Sequence, residues 1–206
     1  MINTSPNNQM CELYTLKELA EKYNTTGDVV EFGTFTGRST LQLSHLFPDK
    51  TVFTIDHFKG LEKTNKNIPS DSDWVEHTFA IGNPLYDDNE NVPKSVEELK
   101  GRFYGRTNIK MIIQDVHKLE LPTYYNIGEV GACNIDVDIY EPTVSALEFL
   151  TKCKWNEVVI RFDDWHGGEE EYDQHERLAF VEWIEKYGYE YEVIHGGYCG
   201  GVYVKR

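Results

Sequence analysis

Residues 28–32, DVVEF, form a short β-branched run, and the glycine-punctuated stretch GTFTG follows at once. Helical spacing then resumes over residues 38–47 through Leu41, Leu43 and Leu46. A strand that passes through a glycine-rich turn into a helix opens a βαβ unit, whose strands run parallel and are buried on both faces. The second strand of that unit is KTVFTIDHF at 50–58, which closes on an acidic residue, Asp56. NIKMIIQD (108–115), ACNIDVDIY (132–140) and NEVVIRFDD (156–164) continue the series. Strands that alternate with helices imply an α/β fold: an open, mainly parallel, Rossmann-like sheet with helices on both faces.

The helices between them carry their own signals. Residues 12–22 place Leu13, Leu16, Leu19 and Ala20 at helical spacing. In VPKSVEELKGRFYG, Ser95 and Glu98 stand three apart as a capping box. PTVSALEFLTKC reads as a helix opened by Pro142, since the first turn tolerates proline. A last helix over 174–187 offers Leu178, Phe180, Val181, Trp183 and Ile184 for its buried face. The closing segment YEYEVIHGGYCGGVYVKR is a hairpin of two strands about a glycine-rich turn, and the hairpin explains GGYCGG better than a nucleotide loop does. Residues 62–93, rich in Asn, Asp, Ser and Pro, form a long loop of the kind that compact domains keep as a lid or substrate-binding segment. Its Trp74, Phe79 and Tyr86 either stack on a ring or pin the loop to the body.

The 206 residues carry no repeat or linker, so one domain spanning 1–206 is expected. With 20 basic against 35 acidic residues the net charge is −15, which disfavours nucleic acid and anionic membranes as partners. No apolar run approaches the roughly 18–20 residues of a membrane span, and the amino terminus has no leader pattern. A soluble, cytoplasmic protein is expected. Cys11, Cys133, Cys153 and Cys199 form no CxxC pair, which argues for reduced, buried thiols rather than a disulfide framework or zinc site.

Ligands of open α/β sheets bind beyond the carboxyl ends of the strands, so each strand exit is a place to look for chemistry. The first exit, Glu31 to Thr40, is neither G-x-G-x-x-G nor a phosphate-binding loop, which demotes nicotinamide cofactors and ATP. Gly33 and Gly37 let a ligand approach the backbone, Thr34 and Ser39 lie beside them, and Glu31 offers an acceptor for a cationic or amino group. A purely structural turn explains this segment equally well when it is taken alone. Asp56, with His57 next to it, stands where ribose hydroxyls are held, and Gln114 and Asp115 stand where an adenine edge could be met.

Two later exits concentrate acid: Asp136 and Asp138 in an otherwise apolar strand, and Asp163 with Asp164 at the end of the next. Neighbouring strands lie about 4.8 Å apart, so these carboxylates can converge, and like charges that close call for a cation. Oxygen ligands without thiolate favour Mg²⁺ or another hard divalent ion. His166 and His175 are further candidates, though each reads more simply as a surface or partly buried histidine. His45 reads as structural and Glu169 to Glu171 as a solvated turn.

GDVVEFGTFTGRST, IDHFKGLE, SVEELKGRFYG, NIDVDIYEPTVSALEFL and FDDW occur in this order over about residues 27–181. The set resembles the macrocin O-methyltransferase-like (TylF-type) enzymes, a branch of the S-adenosylmethionine-dependent class I methyltransferases. The resemblance implies a seven-stranded sheet whose last strand is antiparallel. It also implies Mg²⁺ held by Asp136, Asp163 and Asp164, with Glu31, Gly33 and Gly37 along the methionine and ribose of S-adenosylmethionine and Asp56 on the ribose. The implied reaction is methyl transfer to a hydroxyl of a small molecule, in the namesake a sugar on a natural product. Asp136, with Asp138 as rival, would take the hydroxyl proton. His57, Glu62 and Trp165 depart from the family pattern of Ser, Pro and Tyr, which leaves fold and cofactor intact and bears on the acceptor. Two other readings use the same residues: a non-catalytic S-adenosylmethionine-binding module, and a metal-dependent hydrolase that adds His166. The acceptor's identity and a homo-oligomeric state are open at this point.

Overall fold

A computed structural model describes residues 13–69, 74–86, 89–165 and 170–206. Seven strands form one sheet: β1 (Asp28–Phe32), β2 (Val52–Asp56), β3 (Ile109–Ile113), β4 (Val130–Ile135), β5 (Glu157–Phe162), β6 (Glu190–Gly196) and β7 (Gly200–Lys205). Their order is β3-β2-β1-β4-β5-β7-β6. The first five are parallel, and β7 runs antiparallel between β5 and β6. This is the expected mainly parallel sheet with an antiparallel C-terminal hairpin strand. Because β1 lies between β2 and β4, strand order reverses at β1, and the exits of β1 and β4 form the topological switch point.

Helices cover both faces. Helices α1 (Leu13–Lys22) and α2 (Arg38–Leu46) pack Leu16, Leu19 and Leu43 onto Val29, Val52, Ala132 and Val159. On the other face α4 (Tyr140–Lys152) and α5 (Glu176–Tyr187) pack Leu147, Leu150, Phe180 and Trp183 onto Val30, Phe32, Ile135 and Ile160. Central strands therefore carry apolar side chains toward both faces, as parallel strands buried on both sides must, apart from one interior polar position in each of β1, β2, β4 and β5 that falls in register with the others. Between β2 and β3, the short α3 (Val96–Arg102) sets Leu99 and Phe103 against Phe58. Half of the expected capping box forms: the Ser95 hydroxyl accepts from Glu98 N at 3.2 Å, while the Glu98 carboxylate accepts from Lys94 N at 2.9 Å.

Three boundaries differ from the sequence reading. β4 spans 130–135 rather than 132–140: Asp136 N makes the last parallel-ladder bond, to Phe32 O at 2.9 Å, and the chain then leaves the sheet through Asp138, which adopts a positive φ of 62°. Asp136 and Asp138 thus lie past the strand end, not within it. Helix α4 begins at Tyr140, with Pro142 inside its first turn rather than opening it. Helix α5 begins at Glu176, and its Val181 faces solvent at 40% exposure instead of joining the core.

Cys133, Cys153 and Cys199 are buried free thiols, and Cys11 lies outside the described residues. Among the described residues no helix is long and apolar enough to cross a membrane.

Candidate active site

The site begins with the turn after β1. Gly33 has φ 89°, and a Cβ there would lie 1.7 Å from the carbonyl oxygen of Asp136, so only glycine lets the β1 and β4 exits meet. Asp56 at the end of β2 shapes the same turn: one carboxylate oxygen accepts from Thr34 N at 2.9 Å and Phe35 N at 3.0 Å, and the other from Phe58 N at 2.6 Å. Gly37, with φ 75°, leads into α2, and a Cβ would strike Leu99 and Phe103. Its role is to let α3 close on the turn.

Beneath the turn runs a row of polar residues paired in register across four strands, Thr54, Glu31, Asn134 and Arg161. Thr54 and Thr40 donate to Glu31 at 2.8 and 2.5 Å, Asn134 Nδ2 donates to Glu31 at 3.3 Å, and Arg161 Nη1 donates to Asn134 Oδ1 at 2.8 Å. Arg161 Nη2 continues the row to the Asp163 carboxylate. Glu31 is wholly buried, and burial pushes its carboxyl above the ordinary range against the pull of the threonine hydroxyls. The sequence placed Glu31 against a ligand. In this structure its carboxylate is bonded to Thr40, Thr54 and Asn134 beneath the turn and does not line the cavity.

At the exits of β4 and β5, Asp136, Asp138 and Asp164 each offer a carboxylate oxygen within 4.8 Å of the other two. Asp164 is 4% exposed and the other two are half-buried. Burial first, then neighbouring carboxylates, pushes Asp136 and Asp164 well above the ordinary carboxylate range and Asp138 up to about 7. Asp138 is the centre of a γ-turn, with Ile139 N donating to Val137 O at 2.6 Å. A fourth acid, Glu176, is fully buried at the start of α5, and burial raises it to about 8. Asp163, grouped with these acids in the sequence, lines the same cavity and is the strongest of the neighbouring charges that raise Asp136 and Asp138, while one of its oxygens pairs with Arg161.

These raised carboxyls set a direction for the pH dependence of stability. The folded protein keeps protons that the unfolded chain releases near pH 4. Stability present below that pH is therefore lost as pH rises through 7 and 8. Without added metal, the melting temperature should fall by several degrees between pH 5 and pH 8.5, as read by circular dichroism; a flat or rising profile would contradict this.

A cavity of about 810 Å³ opens at the switch point and gathers the candidate strand-exit residues except Glu31 and Gly37; His175 does not line it. Gly33, Thr34 and Ser39 form one wall, Asp56, His57, Gln114 and Asp115 a second, and the acids of β4 and β5 the floor. Within the second wall, Gln114 donates to Lys118 O at 3.0 Å and Asp115 accepts from His117 N at 3.0 Å. Segment 62–67 is fastened to α4 and α5: Glu141 accepts from Thr64 at 2.7 Å and Asn65 N at 3.2 Å, and His175 Nε2 contacts Asn67 O at 2.6 Å. Trp74 is held edge-on against Tyr172 and His175 while lining the cavity. Phe79 and Tyr86 pack on Phe35, which pins the loop to the body. His166 lies outside the described residues.

Sequence reasoning missed Arg161, Glu176 and Tyr198, of which Arg161 and Tyr198 line the cavity. A lone arginine inside the apolar run VVIRF was a signal for a buried partner. Glu176 had none, because an acidic residue in the first turn of a helix is ordinary.

The cavity suits a ligand of cofactor size, its volume falling in the usual range of roughly 300–1,000 Å³. The acids suit a hard cation, which would relieve the repulsion that raises them. The sheet order and switch-point cavity define the seven-stranded, Rossmann-like fold of class I methyltransferases. Among solved structures with this fold, the O-methyltransferase NovP matches at TM-score 0.64 and 23% identity, over 95% of this chain and 79% of that one. CalS11, a calicheamicin methyltransferase, matches at TM-score 0.62 and 18% identity, over 93% and 77%. Its apo structure is described as TDP-rhamnose 3′-O-methyltransferase. A SAM-dependent methyltransferase from Aquifex aeolicus matches at TM-score 0.55 and 16% identity, over 97% and 93%. No protein-family model and no curated protein matches the sequence.

Proposed function

We propose that this protein is an S-adenosylmethionine-dependent O-methyltransferase of the macrocin O-methyltransferase-like type, acting with Mg²⁺ on a hydroxyl of a small molecule, with a sugar as the favoured acceptor. The observation that carries the reading is the convergence of Asp136, Asp138 and Asp164 within 4.8 Å on the floor of the cavity that the Gly33 turn walls. The fold shared with NovP and CalS11 supports the reaction class, and the TDP-rhamnose substrate named for CalS11 supports the acceptor class.

In this reading the backbone around Gly33 and Thr34 lies along the cofactor, while Asp56, already holding three backbone amides, keeps the turn in shape to receive the ribose. Gln114 and Asp115 face the base. Asp136, Asp138 and Asp164 would hold the cation, with Asp163 beside them and bound through one oxygen to Arg161. When bound, S-adenosylmethionine supplies the methyl carbon and Mg²⁺ supplies the charge that acidifies and orients the acceptor hydroxyl. Asp136, with Asp138 as rival, would accept that proton on a carboxylate oxygen turned toward the acceptor hydroxyl. Trp74 and Tyr198 flank the floor and offer faces for a sugar ring. Alignment of hydroxyl and methyl carbon is the residues' main contribution, as displacement at a sulfonium demands geometry above all.

The test is transfer of a labelled methyl group from S-adenosylmethionine to a panel of nucleotide-activated deoxysugars and sugar-bearing natural products, with Mg²⁺ or with EDTA. Transfer to a hydroxyl that EDTA abolishes is expected. Phosphatase or esterase activity without S-adenosylmethionine would point to the hydrolase reading instead.

A further inference from the structure

We propose that Glu176 is the positioning residue of the acidic floor, fixing the loops after β4 and β5 relative to one another so that Asp136, Asp138 and Asp164 meet. The inference rests on the metal-site reading above and extends it to a residue that touches neither the cation nor the acceptor.

Glu176 is fully buried, and its two oxygens serve two different loops. One accepts from Val137 N at 3.3 Å and the other from Asp164 N at 2.9 Å. Val137 lies between Asp136 and Asp138, and Asp164 is itself the third acid of the cluster. A single carboxylate therefore bridges the two segments that supply all three.

The geometry at Asp138 gives this bridge a task. A non-glycine residue at φ 62° inside a three-residue turn is strained, and such conformations persist only where surrounding contacts over-determine them. The turn's first residue is Val137, whose carbonyl receives Ile139 N while its amide is the group that Glu176 holds. Releasing that amide lets the turn relax and carries Asp138 away from Asp136 and Asp164. Helix α5 supplies the rigidity: Phe180 and Trp183, one and two turns on, are anchored in the core. An aspartate in place of Glu176 would fall one methylene short of both loops. A glutamine fits the space but has one acceptor oxygen and, unlike the carboxyl group, no proton to release, so its amide group must confront one of the two backbone N–H donors at any pH.

The experiment measures Mn²⁺ binding by electron paramagnetic resonance and S-adenosylmethionine binding by calorimetry in the wild type and Glu176→Gln. Outer partners of metal ligands typically contribute about 10–100-fold in metal affinity, so a loss of that size is expected for Mn²⁺. Affinity for S-adenosylmethionine should stay within about twofold, since the Gly33 turn and Asp56 are untouched. General loosening of the structure would weaken both. Unchanged Mn²⁺ affinity in folded Glu176→Gln overturns the proposal while leaving the metal site standing. Absence of Mn²⁺ binding by the wild type overturns both. Amide hydrogen exchange in the wild type gives a reading that needs no variant: Val137 and Asp164 amides should be strongly protected, and exchange at unstructured rates would overturn the bridge.

Discussion

Asp164→Ala is expected to lower Mg²⁺-dependent methyl transfer by about a thousandfold, with the fold intact, while Asp163→Ala mainly costs stability. Asp164 is one of the three acids within 4.8 Å of one another, and it is nine-tenths buried at the cavity floor. Charge stabilisation by a bound cation is worth several kcal/mol, and about 4 kcal/mol corresponds to the thousandfold. Removing Asp164 removes a carboxyl that burial, Asp138 and Glu176 push well above its ordinary range, so the folded protein should not lose stability through charge. Asp163 is different because its carboxylate pairs with Arg161, whose side chain is 4% exposed, and is itself 35% exposed. Stripping a partner from a buried guanidinium costs roughly 3–5 kcal/mol, and the exposure of Asp163 places this case at the low end. Steady-state methyl transfer against Mg²⁺ concentration, paired with thermal unfolding, separates the two variants. Equal loss of turnover in both, at unchanged stability, would return Asp163 to the metal site and contradict the assignment.

The second large effect concerns Gly33→Ala, which should destabilise the protein by at least about 4 kcal/mol. A Cβ at this position would lie 1.7 Å from a backbone oxygen, and that oxygen cannot rotate away as a side chain would. The φ of 89° adds strain for any L side chain. Relief requires the exits of β1 and β4 to part, breaking the bond from Asp136 N to Phe32 O and spreading the cavity floor. Losses above 4 kcal/mol are exceptional for one substitution, and a steric conflict with fixed backbone is among the mechanisms that produce them. For a chain of this size the melting temperature should drop by roughly 8–16 °C. A drop under about 3 °C would show that the turn opens without penalty. Ser39→Ala on the same wall is the control, expected to change stability by under 1 kcal/mol.

The element order was legible because periodicity separates buried parallel strands from amphipathic helices. DVVEF, TVFTID and EVVIRF each leave few polar positions, while the helices repeat Leu or Ala every three to four residues. What periodicity could not supply was where a strand yields to function. The run ACNIDVDIY reads on past Ile135 because its alternation of apolar and acidic residues mimics a strand, whereas the close approach of Gly33 and the γ-turn at Asp138 end it. Convergence of the acids was legible from their places at neighbouring strand ends. Their other partners were not: Asp163 also pairs with Arg161, a buried cation two residues earlier. The surroundings of Glu31 were hidden as well: its partners Thr40, Thr54 and Asn134 lie on three different elements.

The central claim is that the cavity at the β1/β4 switch point is built for S-adenosylmethionine beside a cation. Calorimetric titration of the folded protein with S-adenosylmethionine, in Mg²⁺ and in EDTA, tests it most directly. One site per chain is expected, with binding retained in EDTA because the Gly33 and Asp56 walls do not depend on the metal, and lost in Gly33→Ala. No detectable heat of binding from well-folded protein in either buffer, with no competition by S-adenosylhomocysteine in a fluorescence assay, would contradict the account.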